Sequence, residues 1–267
     1  MTVQRLAAVG VEDALGAAAL EAFEEAGARV AILDGLEAPL DLRSHAAVVN
    51  LMPARDEPRS SFAHFVRAPE RRRRSRLLAR LAEALSDAPD VRLVQRSTAA
   101  LYADGGEQWV AENWPLQPND STRFALAMEN VAEAHRRCGG TAVILRLGEP
   151  FDSSGACLGT LARLARKGWR PFDGRTDAYL PLVRIDDVAA AIVEALDAPS
   201  QTFNVGGLDL RTNGSLNALA EARVGIDLAP LHPSIRASDR ELLERSCRLD
   251  SSAFIRATGW QPRPTFA

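Results

Sequence analysis

Lysine and tyrosine are nearly absent from this sequence. Lys167 is the only lysine among 32 basic residues, and Tyr102 and Tyr179 are the only tyrosines. Neither tyrosine is followed by a lysine four residues later, and the residue four places before Lys167 is Arg163. The sequence therefore excludes a tyrosine and a lysine one turn apart on a helix, a spacing that lets the two side chains act together in acid–base chemistry.

Cysteine and histidine are also scarce. The three cysteines, Cys138, Cys157 and Cys247, are scattered and show no C-x-x-C spacing, and the four histidines are isolated from one another. We therefore predict no metal site, and we expect the reducing environment of the cytoplasm.

Long apolar runs and a strong excess of one charge are missing as well. No segment is apolar for long enough to span a membrane, and no signal-peptide pattern precedes the first predicted strand. The net charge of -3 gives no electrostatic reason to expect nucleic acid or an anionic membrane as a partner. A small-molecule substrate is the partner we expect, for a monomer or a homodimer.

Two predicted strands and the helix between them open the chain. Residues 4–10 read as a buried strand, residues 14–27 as a helix that stops at Gly27, and residues 28–34 as a second strand that ends at Asp34. This order is typical of a Rossmann unit, in which the first turn and a helix N-terminus bind a pyrophosphate. Asp34 lies where a carboxylate accepts hydrogen bonds from the adenine ribose, although such an aspartate can also be a simple turn residue.

The first turn departs from the usual glycine pattern. Gly10 and Gly16 are present, but Asp13 stands at the position of the middle glycine, with Glu12 beside it. A carboxylate there adds bulk and repels a phosphate. Asp13 could instead cap its own helix and turn its side chain away, so both alternatives remain open from sequence alone.

The segment from Arg92 to Glu133 carries the clearest resemblance to a known family. A strand (residues 92–96) is followed by Ser97-Thr98, then Tyr102, an acidic and proline-containing loop, and a helix with Phe124 and Met128 in its first turns. This order resembles the extended short-chain dehydrogenase/reductases, the NAD-dependent epimerase/dehydratase branch. That family has tyrosine and lysine where this chain has Phe124 and Met128, so the chain is similar to an atypical member that lacks Tyr-x-x-x-Lys.

The resemblance implies a nicotinamide cofactor, NAD(H) or NADP(H), and a set of residues beside it. Thr98, with Ser97, would be the catalytic hydroxyl that binds the substrate carbonyl, although a Ser/Thr pair at a strand end often only caps backbone. The predicted cofactor-binding residues are Gly10, Asp13, Leu15, Gly16, Asp34, Asp41, Leu42, Leu51, Met52, Pro53, Gly148 and Pro150. The predicted substrate pocket comprises Tyr102, Phe124, Met128, Glu149 and Phe151.

The resemblance continues through the C-terminal half, in residues 141–151, 179–196, 203–207 and 248–262. It implies an α/β fold: a Rossmann-type doubly wound parallel sheet (about 1–150 plus 179–205) with a small C-terminal substrate lobe (about 151–178 and 206–267). A third strand near Asp41 and Leu42 is expected to be vestigial. Glu149 and Leu180 replace the asparagine and arginine with which relatives bind a substrate diphosphate, which favours an uncharged substrate.

Three functions remain open at this point. The first is an atypical ketoreductase on an aromatic polyketide-type ketone, similar to angucyclinone reductases that also lack the tyrosine. Its proton would come from a substrate phenol, water or Thr98. The second is a cofactor-free cyclase or dehydratase on the same scaffold, and the third is a non-catalytic protein that binds a ligand or partner. Binding of a nicotinamide nucleotide would distinguish the first from the others.

Overall fold

A six-stranded parallel sheet forms the centre of the protein. The computed structural model describes residues 5–33, 40–55, 68–151, 168–170, 174–225 and 237–264, together with residues 166, 227 and 229. The described strands are β1 (Arg5–Val9), β2 (Arg29–Ile32), β3 (Ala47–Asn50), β4 (Arg92–Thr98), β5 (Trp109–Val110), β6 (Ala142–Leu147), β7 (Glu149–Phe151), β8 (Tyr179–Leu180), β9 (Leu182–Arg184), β10 (Thr202–Val205), β11 (Arg211–Thr212) and β12 (Arg248–Leu249). The order in the large sheet is β10-β6-β4-β3-β1-β2.

Helices cover both faces of this sheet. Within the described residues they are α1 (Ala14–Glu25), α2 (Ala68–Ser86), α3 (Arg123–Arg137), α4 (Ile185–Glu194), α5 (Asn213–Val224), α6 (Ala237–Glu244) and α7 (Ser252–Thr258). Buried side chains of α1, α4 and α7 pack on one face, and those of α2 and α3 pack on the other. A sheet buried on both faces requires strands that are largely apolar, and β3 and β6 are buried along their whole length. Their polar residues, Asn50 and Arg146, have hydrogen-bond partners. The predicted Rossmann-type α/β fold is confirmed.

The strand order reverses at β1. The chain passes from β1 outward to β2 and then returns to β3 on the other side of β1. In a parallel sheet, the strand ends at such a reversal leave a crevice at the carboxyl edge, which is the usual ligand site of this architecture. The carboxyl ends of β1, β3, β4 and β6 therefore define where a site should lie.

The predicted third strand is not found. Residues 40–46 contain no strand, and Leu42 is instead a buried anchor beneath α2, with 1% of its surface exposed.

Asp34 lies outside the described residues, as do residues 156–165 of the helix predicted over 156–167. No helix in the described part of the chain is both long and apolar enough to cross a membrane.

Three two-stranded sheets lie outside the large one in the described part of the chain. They pair β5 with β12, β7 with β9, and β8 with β11. The β7–β9 pair directly continues the carboxyl end of β6, so it extends the crevice on that side. The division into a Rossmann core and a C-terminal substrate lobe stays a prediction.

Candidate active site

Most of the predicted site residues come together at the carboxyl edge of the sheet. Gly10 follows β1, residues 51–53 follow β3, residues 97–98 end β4, and residues 148–150 follow β6. These strands are neighbours in the order β6-β4-β3-β1. The hydroxyl pair and the first turn thus meet in one crevice, although they are more than 80 residues apart in sequence.

The turn after β1 packs tightly on the turn after β3. Gly10 has a φ of 72°, and a Cβ on this residue would lie 2.5 Å from the backbone nitrogen and Cα of Met52. The amide of Leu51 also donates to the carbonyl of Val9 over 2.8 Å. Glycine is therefore required here by both the backbone conformation and the lack of space.

Asp13 caps helix α1 and forms an ion pair across the crevice. Its Oδ1 accepts a hydrogen bond of 2.8 Å from the amide of Gly16, and its Oδ2 lies 2.6 Å from Nη1 of Arg96 on β4. The same Nη1 donates to the carbonyl of Leu51 over 2.8 Å. The arginine is 12% exposed and the aspartate 32%. Of the two alternatives left open by the sequence, the structure shows the helix cap, but the Asp13 side chain is not turned away from the crevice, because it pairs there with Arg96.

Four other predicted cofactor-binding residues differ in how far their side chains are exposed to a ligand. Leu15, Leu51 and Met52 are at most 2% exposed, so their side chains belong to the core and only their backbone could contact a ligand. Asp41 is exposed, and its Oδ1 accepts a hydrogen bond of 3.1 Å from the amide of Arg43.

Ser97 and Thr98 have different environments. Ser97 is 1% exposed, and its hydroxyl donates to Oε1 of Glu129 on α3 over 2.5 Å. Thr98 is 8% exposed, and its Oγ1 accepts from the amide of Ala100 over 3.2 Å at the start of a 3₁₀ helix, Ala99–Leu101. Among the described residues, no acceptor takes the hydrogen of the Thr98 hydroxyl. Thr98 is therefore the better placed of the two to donate to a carbonyl.

A buried polar network lies behind these hydroxyls. Arg146 on β6 binds both oxygens of Glu129, with contacts of 2.9 and 2.8 Å. Its Nη1 also donates to the hydroxyl of Tyr102 over 3.0 Å, and that hydroxyl donates to Oδ1 of Asn204 over 2.7 Å. All four side chains are at most 7% exposed. Such an ion pair is stable in the interior only because its remaining hydrogen-bonding groups also have partners.

Tyr102 differs from the expectation that it lines the substrate pocket. Its side chain is 1% exposed and packs with Ala99, Val110 and Leu249. Burial raises the pKa of its phenol from 10.0 to about 12, against the opposing effect of Arg146. With its hydroxyl bonded to Asn204 and its ring enclosed, Tyr102 has a structural role and presents no surface to a substrate in this conformation.

Phe124 and Met128 lie on the sheet-facing side of α3. Met128 is fully buried, with its sulfur 3.8 Å from Nδ2 of Asn50. Phe124 is half-buried, and the guanidinium of Arg74 on α2 lies 5.0 Å from the centre of its ring. Arg74 also donates to the carbonyl of Pro53 over 3.0 Å. Of the two residues, Phe124 has the accessible surface that a pocket residue needs.

The turn after β6 is tied to the turn after β3. Arg55 and Glu149 form an ion pair with side chains 20% and 39% exposed. This pair joins the segments that follow β3 and β6, the two strands on either side of β4. A Cβ on Gly148 would lie 2.2 Å from the carbonyl oxygen of Pro181. Pro150 is half-buried, whereas Phe151 is only 3% exposed and packs against Leu182, Leu216 and Leu180.

Sequence reasoning missed the charged residues that hold the site together. These are Arg55, Arg96, Glu129 and Arg146, and each has its partner on a different element. One signal was available: Arg96 lies within a strand that is otherwise mostly buried, immediately before the hydroxyl pair. A charge at that position implies an opposite charge nearby, and Asp13 supplies it.

A dinucleotide fits the chemistry of the first turn once one group moves. The α1 N-terminus faces the crevice, Gly10 permits the close turn, and Arg96 supplies a guanidinium there. The carboxylate of Asp13 holds both the helix amide and this guanidinium, so a pyrophosphate would have to take its place. Within the described ranges, no three histidine, cysteine or carboxylate side chains come close enough together to hold a metal ion.

The sheet order, the covering helices and the crevice at the strand reversal define a Rossmann-type protein. The model of the NAD dependent epimerase/dehydratase family matches residues 9–206. This match covers most of the chain, and the protein therefore belongs to that family. A search of curated proteins by sequence found no significant match.

Solved structures share the fold at low sequence identity. A human epimerase family protein solved with NADPH is 20% identical, with a TM-score of 0.75 over 97% of this chain and 94% of that one. The UDP-glucose 4-epimerase of Thermus thermophilus, in complex with NAD, is 23% identical, with a TM-score of 0.71 over 98% and 95%. A dTDP-glucose 4,6-dehydratase from Streptomyces venezuelae with NAD bound is 18% identical, with a TM-score of 0.76 over 98% and 93%.

Proposed function

We propose that this protein is an NAD(P)H-dependent ketoreductase that works without the tyrosine and lysine of its family. The observation that carries the proposal is Thr98, whose hydroxyl lies at the carboxyl edge of the sheet and retains a hydrogen to donate. Phe124 and Met128, on the helix that follows, supply neither a proton nor a charge. Two proteins that share this fold, at 20% and 23% sequence identity, were solved with NADPH and NAD, which supports a nicotinamide cofactor.

The chain's own residues position the ketone and stabilise the product. A bound nicotinamide would deliver hydride to the carbonyl carbon and leave as NAD(P)+. Thr98 donates a hydrogen bond to the carbonyl oxygen, on which negative charge develops. The proton that completes the alcohol comes from water, from Thr98 or from a phenol of the substrate. A phenol next to the ketone already shares its hydrogen with the carbonyl, so the protein needs no tyrosine.

The charges around the crevice favour an uncharged substrate. Glu149 has its carboxylate paired with Arg55, so neither group is a ready partner for a diphosphate. Leu180 is half-buried in an apolar cluster with Phe151, Leu182 and Leu216. An uncharged aromatic ketone of the polyketide type, as formed in secondary metabolism, is the substrate that the paired charges and the apolar Leu180 favour.

Turnover of a matched pair of ketones tests the proposal. The purified protein is incubated with NADH or NADPH and aromatic ketones with and without a neighbouring phenol, and the alcohol is detected by mass spectrometry. We expect reduction of the phenolic ketone. Thr98→Val should lower kcat by about 100-fold, the typical effect of removing one donor to the developing oxyanion.

A matched variant controls this measurement. Thr258→Val removes a hydroxyl at the end of α7, where it donates to the carbonyl of Phe254 and accepts from the amide of Trp260, and it should leave kcat unchanged. Failure of the protein to reduce any ketone with either nucleotide would overturn the proposal.

One observation favours the second candidate, a cofactor-free cyclase or dehydratase or a ligand-binding protein on the same scaffold. The ion pair of Asp13 and Arg96 stands where a pyrophosphate would be bound. A protein with no dinucleotide would keep this pair permanently. Titration of the purified protein with NADH and NADPH separates the two candidates, since the second predicts no binding of either.

A further inference from the structure

We propose that Asp13 competes with the cofactor's pyrophosphate for Arg96, so that this chain binds dinucleotides by exchanging one anion for another. The inference rests on the proposed function, because it concerns the binding of the nicotinamide cofactor. It assigns Arg96 as a pyrophosphate-binding residue and Asp13 as an internal inhibitor of binding.

The contacts of Asp13 are those of a bound anion. One carboxylate oxygen accepts from the amide of Gly16 in the first turn of α1, and the other accepts from Arg96. Backbone amides at a helix N-terminus together with a guanidinium are the groups that bind phosphate in proteins. The carboxylate therefore satisfies the same donors that a pyrophosphate would need.

Arg96 is held in the crevice rather than in solvent. Its Nη1 bridges Asp13 and the carbonyl of Leu51, at the end of β3. Its side chain, on the central strand β4, is 12% exposed. A guanidinium so far removed from water needs an anionic partner at all times, because an unpaired charge there is costly. When a phosphate displaces Asp13, that partner is the phosphate, and the aspartate is exposed enough to turn toward solvent.

The neighbouring carboxylate provides an internal comparison. Glu12 lies in the same turn and pairs with Arg73 on α2 over 2.9 Å. Its side chain is 55% exposed, and it makes no described contact with the α1 amides or with Arg96. Solvent screens such a pair, so Glu12 should influence dinucleotide binding much less than Asp13.

Calorimetric titration of four proteins with NADH and NADPH tests the exchange. The proteins are the wild type, Asp13→Asn, Arg96→Gln and the control Glu12→Gln. Asparagine caps a helix as well as aspartate does, so Asp13→Asn removes the charge and keeps the cap. We expect it to bind at least about tenfold more tightly than the wild type, and Arg96→Gln to bind about tenfold more weakly, the effect of one charge-assisted hydrogen bond.

The outcomes separate this inference from the proposed function. Tighter binding by Asp13→Asn, with Glu12→Gln within about twofold of the wild type, supports the exchange. Equal affinities of the wild type and Asp13→Asn would overturn it while leaving the ketoreductase proposal intact, and so would an equal gain in Glu12→Gln. If no protein in the set binds either nucleotide, both proposals fall.

Discussion

The guanidinium of Arg74 lies 5.0 Å from the centre of the Phe124 ring, so a cation on α2 covers the residue that, in the proposed function, replaces the family's tyrosine. Contacts of this kind contribute about 0.5–2 kcal/mol, depending on how far the pair is removed from water. Arg74 is 7% exposed, so the higher part of this range applies. A positive charge, that of Arg74, therefore already lies beside Phe124, which precedes Met128 by one turn of α3.

Restoring the family's lysine should therefore destabilise the protein. Met128 is fully buried beside Asn50, and an ammonium there would lack a carboxylate among its described neighbours. We expect Met128→Lys to lower the free energy of unfolding by about 3 kcal/mol, the typical cost of an uncompensated buried charge. Met128→Leu should cost less than about 1.5 kcal/mol.

Urea denaturation followed by circular dichroism measures both Met128 variants. If Met128→Lys equals Met128→Leu in stability, the buried environment assigned to this position is incorrect. Combined with Phe124→Tyr, the lysine should bring no gain in the rate of ketone reduction. A large gain would show that proton supply limits the native enzyme.

Removal of the buried charge of Glu129 should be among the most damaging single changes. Glu129→Gln leaves Arg146 without its bidentate partner in the interior, at a cost of about 3–5 kcal/mol. Glu133→Gln is the matched control one turn along the same helix. Its partner is Arg136 at 2.5 Å, but Glu133 is 43% exposed, so the expected loss stays below about 1 kcal/mol. Equal losses for the two variants, by chemical denaturation, would contradict the network.

Stability should fall at alkaline pH because of Tyr102. Its folded pKa of about 12 exceeds the ordinary 10.0, so the stability that its neutral form confers is complete below pH 10.0 and is lost between 10.0 and about 12. The difference corresponds to about 3 kcal/mol at most. Free energies of unfolding measured across this range should therefore decline, and Tyr102→Phe should flatten the decline.

Two features make this alkaline measurement clean. The chain has a single lysine and only one other tyrosine, Tyr179, so few other ammonium or phenol groups titrate there. Burial also raises the pKa of the Cys247 thiol to about 12, so a Cys247→Ser background removes that contribution. The role assigned to Tyr102 fails if the decline is as steep in the Tyr102→Phe protein.

The turn after β1 packs closely on the turn after β3, so alanine should destabilise the protein more at Gly10 than at Gly27. Gly10 and Gly27 have nearly the same φ, 72° and 75°, but a Cβ on Gly27 meets nothing within 4 Å, whereas one on Gly10 meets the Met52 backbone. In both alanine variants the left-handed conformation should lower the free energy of unfolding by about 1 kcal/mol. Gly10→Ala should lose at least about 2 kcal/mol more by thermal or urea unfolding, because backbone must shift. Similar losses would mean that the turn relaxes freely.

Much of the fold was readable from local patterns. The apolar run of β3 and the amphipathic pattern of α2 predicted elements whose partners are adjacent in the sheet or one layer away. The strand expected near Asp41 did not form, although Leu40 and Leu42 both pack on the core and alternate with the exposed Asp41. This short pattern pairs with no strand among the described residues, so the two leucines serve only as core anchors.

The site was less predictable, because its charges pair across the fold. Ser97, Glu129 and Arg146 lie on a strand, a helix and a second strand, and no spacing in the sequence shows that they meet. Tyr102 was expected in the pocket because of its place in the family's sequence motif. The motif does not predict whether the tyrosine ring faces the crevice or the core, and here it is buried in the core. Asp13 looked like an isolated departure from the glycine pattern, and only its contact with Arg96, which sequence reasoning missed, explains its place in the site.

Hydrogen exchange at the Gly16 amide can report in what fraction of molecules the Asp13 carboxylate has left the N-terminus of α1. Its hydrogen is bonded to Asp13, so it exchanges with solvent deuterium only when that carboxylate leaves the helix end. A ligand that needs the open arrangement binds with an apparent Kd raised by the reciprocal of the open fraction. The exchange rate of this one amide therefore measures the fraction of binding-competent molecules in the absence of any ligand.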